Sequence, residues 1–108
     1  MDLETLLTGS KWEIIELLSK EKLSPIELAK RLNTTVANIS MQLRLLQTAG
    51  LVKKEKTGSA GAGKPRTLFS LSDDYGFITV FSKGFAQKKL MKLKKEQIEQ
   101  MKRWMKGN

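Results

Sequence analysis

The sequence predicts an α+β, mainly α, fold: a core of three helices, a β-hairpin after them and a long amphipathic helix at the C-terminus. Three observations predict it. The stretch from Leu23 to Val52 reads as two helices joined by a tight turn, the periodicity becomes alternating between Leu51 and Ser72, and helical spacing of apolar residues returns from about Gly84. At 108 residues the chain has room for one core and not for two independent ones. The expected division is 1–83 for the helical core with its hairpin, and 84–108 for the C-terminal helix.

Leu3, Leu6 and Leu7 form a short apolar turn that Thr8-Gly9 interrupts. Ser10-Lys11-Trp12-Glu13 then follows the capping-box pattern, in which a hydroxyl and a carboxylate three residues apart satisfy orphan N–H groups at a helix start. That helix is expected to reach about Lys20, with Ile14, Ile15, Leu17 and Leu18 inward. Ser24-Pro25-Ile26-Glu27 gives the same signal, with proline at the first helical position, where no backbone N–H is missed. Ile26, Leu28, Ala29 and Leu32 take its apolar side, and Asn33 is placed to end it in the left-handed conformation. Thr35 caps a longer helix whose stripe is Ile39, Leu43 and Leu46, closed by Gly50. The first helix packs across this pair and completes a three-helix core.

At about 100° per residue, the side of the longer helix opposite its stripe carries Ala37, Met41, Arg44 and Thr48, flanked by Asn38 and Ser40. A merely solvated helix would carry Glu and Lys there. Small and hydrogen-bonding groups near the N-terminal half let a helix approach base edges, as the second helix of a helix-turn-helix does in the major groove. Thr35, Ala37, Asn38, Ser40, Met41 and Arg44 are therefore the candidate DNA-reading residues. The bland alternative is a helical hairpin inside an ordinary all-α domain.

Glu27-Leu28-Ala29, Leu32, Ile39-Ser40, Leu43, Leu46 and Gly50-Leu51-Val52, followed by GKPRTLFSLS, resemble the winged helix-turn-helix of ArsR and MarR-type transcription regulators. The resemblance covers about half of the chain. It implies a DNA-binding transcription regulator of prokaryotic or archaeal type, with the hairpin as the wing. The chain contains neither cysteine nor histidine, so the thiolate and imidazole ligands of metal-sensing ArsR members are absent, and no metal or other cofactor is expected.

Charge agrees with a polyanionic partner. The net charge is +9, but residues 1–50 carry six basic and six acidic side chains, whereas residues 84–108 carry eight and two. Double-stranded DNA is the first partner this suggests, an anionic membrane surface the second. No apolar run approaches a membrane span, the N-terminus MDLETLLTGS is acidic and unlike a secretory signal, and no membrane partner is expected. A cysteine-free chain fits a reducing compartment, so the expected location is the cytoplasm, in association with the nucleoid.

The wing spans 51–72: a strand to Thr57, a tip from Gly58 to Lys64 and a returning strand from Arg66. Little side chain stands between the tip and a sugar-phosphate backbone, and Lys56, Ser59, Lys64 and Arg66 are the candidate phosphate or minor-groove contacts. The alternative is a solvated hairpin with gatekeeper lysines. Gly58 to Lys64 also satisfies the G-x-x-x-x-G-K part of a phosphate-binding loop. Pro65 stands where a Mg²⁺-binding hydroxyl belongs, and RTLFSLS is strand-like where a helix is required, so nucleotide hydrolysis is not expected.

Phe77 to Phe81 reads as an additional strand pairing with the wing base. Asp73-Asp74 before it are turn carboxylates that bond backbone N–H groups. From Gly84 to Lys106, Ala86, Leu90, Leu93, Gln97, Ile98, Met101, Trp104 and Met105 fall on one helical stripe with lysines and an arginine opposite. With Trp12, the residues Leu90, Leu93, Ile98, Met101, Trp104 and Met105 are the expected homodimer contacts. A small-molecule effector site could form between the terminal helices around Trp12, Phe85 and Trp104. Catalysis is not expected, because no histidine, cysteine or nucleophile-base pair is present. The main alternatives to a sequence-specific regulator are a winged-helix protein-interaction module and a non-specific architectural DNA binder.

Overall fold

A computed structural model describes residues 3–57 and 66–107, which fall into two compact units, 1–72 and 73–108. In the first unit the order is α1 (Leu3–Leu6), α2 (Gly9–Leu18), α3 (Pro25–Arg31), α4 (Val36–Thr48), β1 (Val52–Thr57) and β2 (Arg66–Leu71). This is a winged helix: three core helices followed by an antiparallel hairpin running from Val52↔Leu71 to Thr57↔Arg66.

Local chemistry places most boundaries. Ser24 and Glu27 form the reciprocal capping box, with Glu27 N–H donating to Ser24 Oγ at 3.2 Å and Ser24 N–H to Glu27 Oε1 at 3.1 Å. Leu23 and Leu28 flank that cap at the positions of a hydrophobic staple, and both are fully buried. Asn33 adopts φ +52, and Gly50 φ +82 ends α4 where a side chain would be strained. Ile14, Leu18, Leu23, Leu28, Ile39, Leu43, Leu46, Leu51, Val52 and Phe69 make the core of this unit. Two expectations need correction. The Ser10 capping box does not form: α2 begins at Gly9 after an extended Thr8, whose hydroxyl donates to Thr5 C=O at 3.3 Å. Ile26 is 57% exposed, because one turn of a seven-residue helix offers only Leu28 and Ala29 to the core.

The wing is joined to the helices by backbone pairing as well as by chain connection. Leu23 N–H donates to Phe69 C=O at 3.1 Å and Phe69 N–H to Leu23 C=O at 2.8 Å, so the segment before α3 acts as a third rung beside β2. Ser72 N–H donates to Leu51 C=O at 3.0 Å, and the Ser72 hydroxyl to Gly50 C=O, closing the base of the hairpin.

The second unit holds β3 (Tyr75–Ser82), β4 (Phe85–Lys92) and α5 (Lys95–Lys106). The expected continuous helix from Gly84 to Lys106 is therefore incorrect over its first half. Phe85–Lys92 is a strand paired with β3 from Tyr75↔Lys92 to Ser82↔Phe85. Ala86 and Leu90 satisfy a spacing of four and a period of two equally, and the β-branched and aromatic run of β3 supplies the pairing partner that decides between them. Gly84, at φ +90, makes the reversal. The additional strand expected at 77–81 exists as β3, but it pairs with β4 and not with the wing: the two sheets are separate. The compact units meet at Ser72 and Asp73, whereas the sequence suggests a division after residue 83.

Leu93 is buried at the end of β4, over Gly76, where a Cβ would meet Leu93 Cδ1 at 2.6 Å. Gln97 Oε1 accepts from Lys94 N–H at 2.8 Å and starts α5. No residue of α5 is buried.

Leu46→Ala should destabilise the first unit by about 2–5 kcal/mol, the range for a fully enclosed leucine, whereas Met105→Ala should change stability by less than about 0.5 kcal/mol. Urea unfolding followed by circular dichroism measures both.

Candidate nucleic-acid interface

The buried stripe of α4 fixes its rotation. With Ile39, Leu43 and Leu46 enclosed, Val36, Ala37, Met41, Arg44, Gln47 and Thr48 are left exposed, Met41 by 54%. These residues line one side at helical spacing. α4 contains no carboxylate, and its N-terminus carries the partial positive charge of unpaired N–H groups. Thr35 caps it, accepting from Asn38 N–H at 3.0 Å.

The expected reading residues divide into two groups. Ala37, Met41 and Arg44 stand exposed on α4, and Arg44 has no ion-pair partner among the described residues. Thr35 is exposed as the cap. Asn38 and Ser40 are half-buried. The Asn38 amide is engaged at both ends, donating to Thr34 Oγ1 at 3.1 Å and accepting from Gln42 Nε2 at 3.3 Å. Asn38 thus braces the start of the helix. Val36 and Gln47, absent from the sequence-based set, join the exposed side. Their spacing from Arg44 by multiples of three and four residues is the signal that could have included them.

On the wing, Lys54 and Lys56 are exposed and have no ion-pair partner among the described residues. Strand alternation places both on the face shared with Val52 and Phe69. Ser59 and Lys64 lie outside the described residues. Arg66, expected to reach phosphate, instead donates through Nη2 to Glu27 Oε1 at 2.6 Å. Its side chain is still 61% exposed. Glu55 is matched in the same way by Lys22 at 2.9 Å, and Glu21 by Arg31 at 3.0 Å. The carboxylates around α3 and the wing are thus covered by cations, while Arg44, Lys54 and Lys56 are not.

Residues 9–54 match the family model described as bacterial regulatory protein, arsR family. This segment is similar to an ArsR-type helix-turn-helix. The match spans α2 to the start of β1, so it includes α4 and its exposed side and stops short of most of the wing. Comparison with curated proteins returns no match. The similarity to the arsR family supports a DNA-binding transcription regulator. Of the dimer contacts the sequence suggests, Trp12, Trp104 and Met105 are exposed, Leu90, Ile98 and Met101 are half-buried, and Leu93 is enclosed within its own unit. Phe85 lies on β4 and not on a helix.

Glu27 anchors the cap of α3 and holds Arg66. Hydrogen bonds from the Ser24 N–H and hydroxyl, then the charge of Arg66, keep its carboxyl below the ordinary value of 4.5. A folded-state value below the unfolded one means that the contribution is complete above about pH 4.5 and is lost as pH falls through the lowered value. Glu27→Gln should therefore be less stable than wild type at pH 7, with the gap narrowing in acid. Thermal melts across that range check this, and a gap independent of pH would contradict it.

Proposed function

We propose that this chain is a sequence-specific regulator of transcription that binds double-stranded DNA as a homodimer, in the cytoplasm and associated with the nucleoid. The single observation that carries the reading is the uncluttered, acid-free exposed side of α4. A helix of this kind fits the major groove, where Ala37 and Met41 can meet thymine methyl groups and Arg44 can pair with guanine O6 and N7. Thr35 stands at the N-terminus, where a cap hydroxyl and free N–H groups suit a phosphate.

The wing adds contacts that carry charge and no base code. Lys56 suits phosphates or the adjacent minor groove, and Ser59 and Lys64, which lie outside the described residues, are proposed for the same role. Arg66 reaches phosphate only by exchanging its bond to Glu27. Trp104 and Met105, exposed by 68% and 83%, support the homodimer reading, with Ile98 and Met101 on the same helix. Two-fold symmetry then sets two copies of α4 against half-sites one DNA turn, about 34 Å, apart.

Two substitutions separate base reading from phosphate binding in a selection of bound duplexes from a random pool, followed by titration at several salt concentrations. Arg44→Ala should lower affinity for the selected sequence by about 1–3 kcal/mol and flatten preference at one position in each half-site. Lys56→Ala should weaken all duplexes alike and reduce the salt slope by about 1 for each phosphate it no longer neutralises. Unchanged binding in both would overturn the assignment.

A further inference from the structure

The hairpin of the second unit has two outer edges of opposite character. β4 carries Lys88, Lys89 and Lys92. β3, with the sequence YGFITVFS, has no charged residue and no proline. Edge strands avoid intermolecular pairing by carrying lysine or proline, by bulging or by being covered. The eight-residue ladder with β4 runs without a bulge, and among the described residues no further strand pairs with either edge. Thr79 to Ser82 are all exposed, Val80 by 46% and Phe81 by 82%.

The turn is the two residues Lys83-Gly84, so the flanking pair Ser82↔Phe85 is the first hydrogen-bonded rung. By the alternation of an antiparallel ladder, Thr79 and Phe81 then direct their N–H and C=O groups to the outer edge. Alternation also puts apolar side chains on both faces of the hairpin. Phe81 shares one face with Phe77 and Leu90, and Val80 the other with Ile78, Phe85 and Met91.

We propose that the outer edge of β3 pairs antiparallel with β3 of a second copy of this chain about a two-fold axis, giving a four-stranded sheet in the order β4-β3-β3-β4. The proposal rests on the homodimer reading and names its seam. Charge selects the occupant. β3 against β3 opposes no like charges, whereas β4 against β4 sets lysines across from lysines. β3 against β4 of the next copy is heterologous and grows without closing, while β3 against itself is isologous and closes as a dimer. A polyanion would select the lysine edge of β4. Two strands alone are marginal in water and four are not. The seam also gives the exposed Val80 and Phe81 cross-strand neighbours from the second copy.

The test is the concentration dependence of mass for the full chain by sedimentation, with far-UV circular dichroism as the check on folding. Wild type should be a dimer at micromolar concentration. Thr79→Lys, which places charge at the seam, and Thr79→Pro, which removes an edge donor, should each weaken dimerisation about tenfold or more, because symmetry makes each change act twice. An equimolar mixture of Thr79→Lys and Thr79→Glu chains should dimerise more tightly than either alone. Trp104→Ser probes the α5 contacts that the exposed Trp104 and Met105 suggest, and should weaken dimerisation less than either Thr79 change. If the Thr79 variants stay dimeric while Trp104→Ser dissociates, the β3 seam is overturned and the homodimer reading stands. A wild type that is monomeric throughout overturns both. Mass that keeps rising with concentration overturns closed two-fold pairing.

Discussion

The rotation of α4 about its own axis is the constraint on which the remaining structure depends. Ile39, Leu43 and Leu46 are enclosed almost completely, and each contributes roughly 1.5–3 kcal/mol by leaving water. No single polar contact on the opposite side competes with that sum. Turning the helix by one residue would expose an isoleucine and bury Arg44 without a partner, which is why the outward set is fixed by the inward one. In the proposed reading, function on this helix follows from core packing: the residues left outside are the ones offered to a duplex.

The wing inherits its position from the same core. Phe69 is buried and its backbone exchanges two hydrogen bonds with Leu23, itself buried beside the cap of α3. Lys22 to Glu55 and Glu27 to Arg66 then cross from the segment around α3 to β1 and β2. These exposed pairs are individually weak, and the backbone rung carries more of the fixation. Their larger effect is electrostatic. They cancel carboxylates around α3 and the wing, and Arg44, Lys54 and Lys56 keep their charge without such partners among the described residues.

Most of the first unit was legible in the sequence because its signals are local. Ser24-Pro25-Ile26-Glu27, Thr35, Asn33 and Gly50 each announce a cap or a stop, and each behaves as its chemistry requires. Asn38 was legible as polar but not as a half-buried brace, since its partners Thr34 and Gln42 differ little in sequence from solvent-facing neighbours. Arg66 was legible as basic, while Glu27, 39 residues earlier in the chain, could not be foreseen as its partner. The second unit misleads for a different reason. Lysine, glutamine, leucine and methionine favour helices, and Phe85–Lys92 becomes a strand only because β3 lies beside it. Long-range pairing of that kind leaves no mark in a window of ten residues.

The central claim is that α4 enters the groove by the side its core packing leaves outside. Amide hydrogen exchange of the full chain, with and without a duplex selected from a random pool, tests it most directly. Slowed exchange concentrated on Val36–Arg44 and on β1, with α2 unchanged, is the predicted result. Slowing confined to the lysines of β4 and α5, with α4 exchanging as in the free protein, would contradict it.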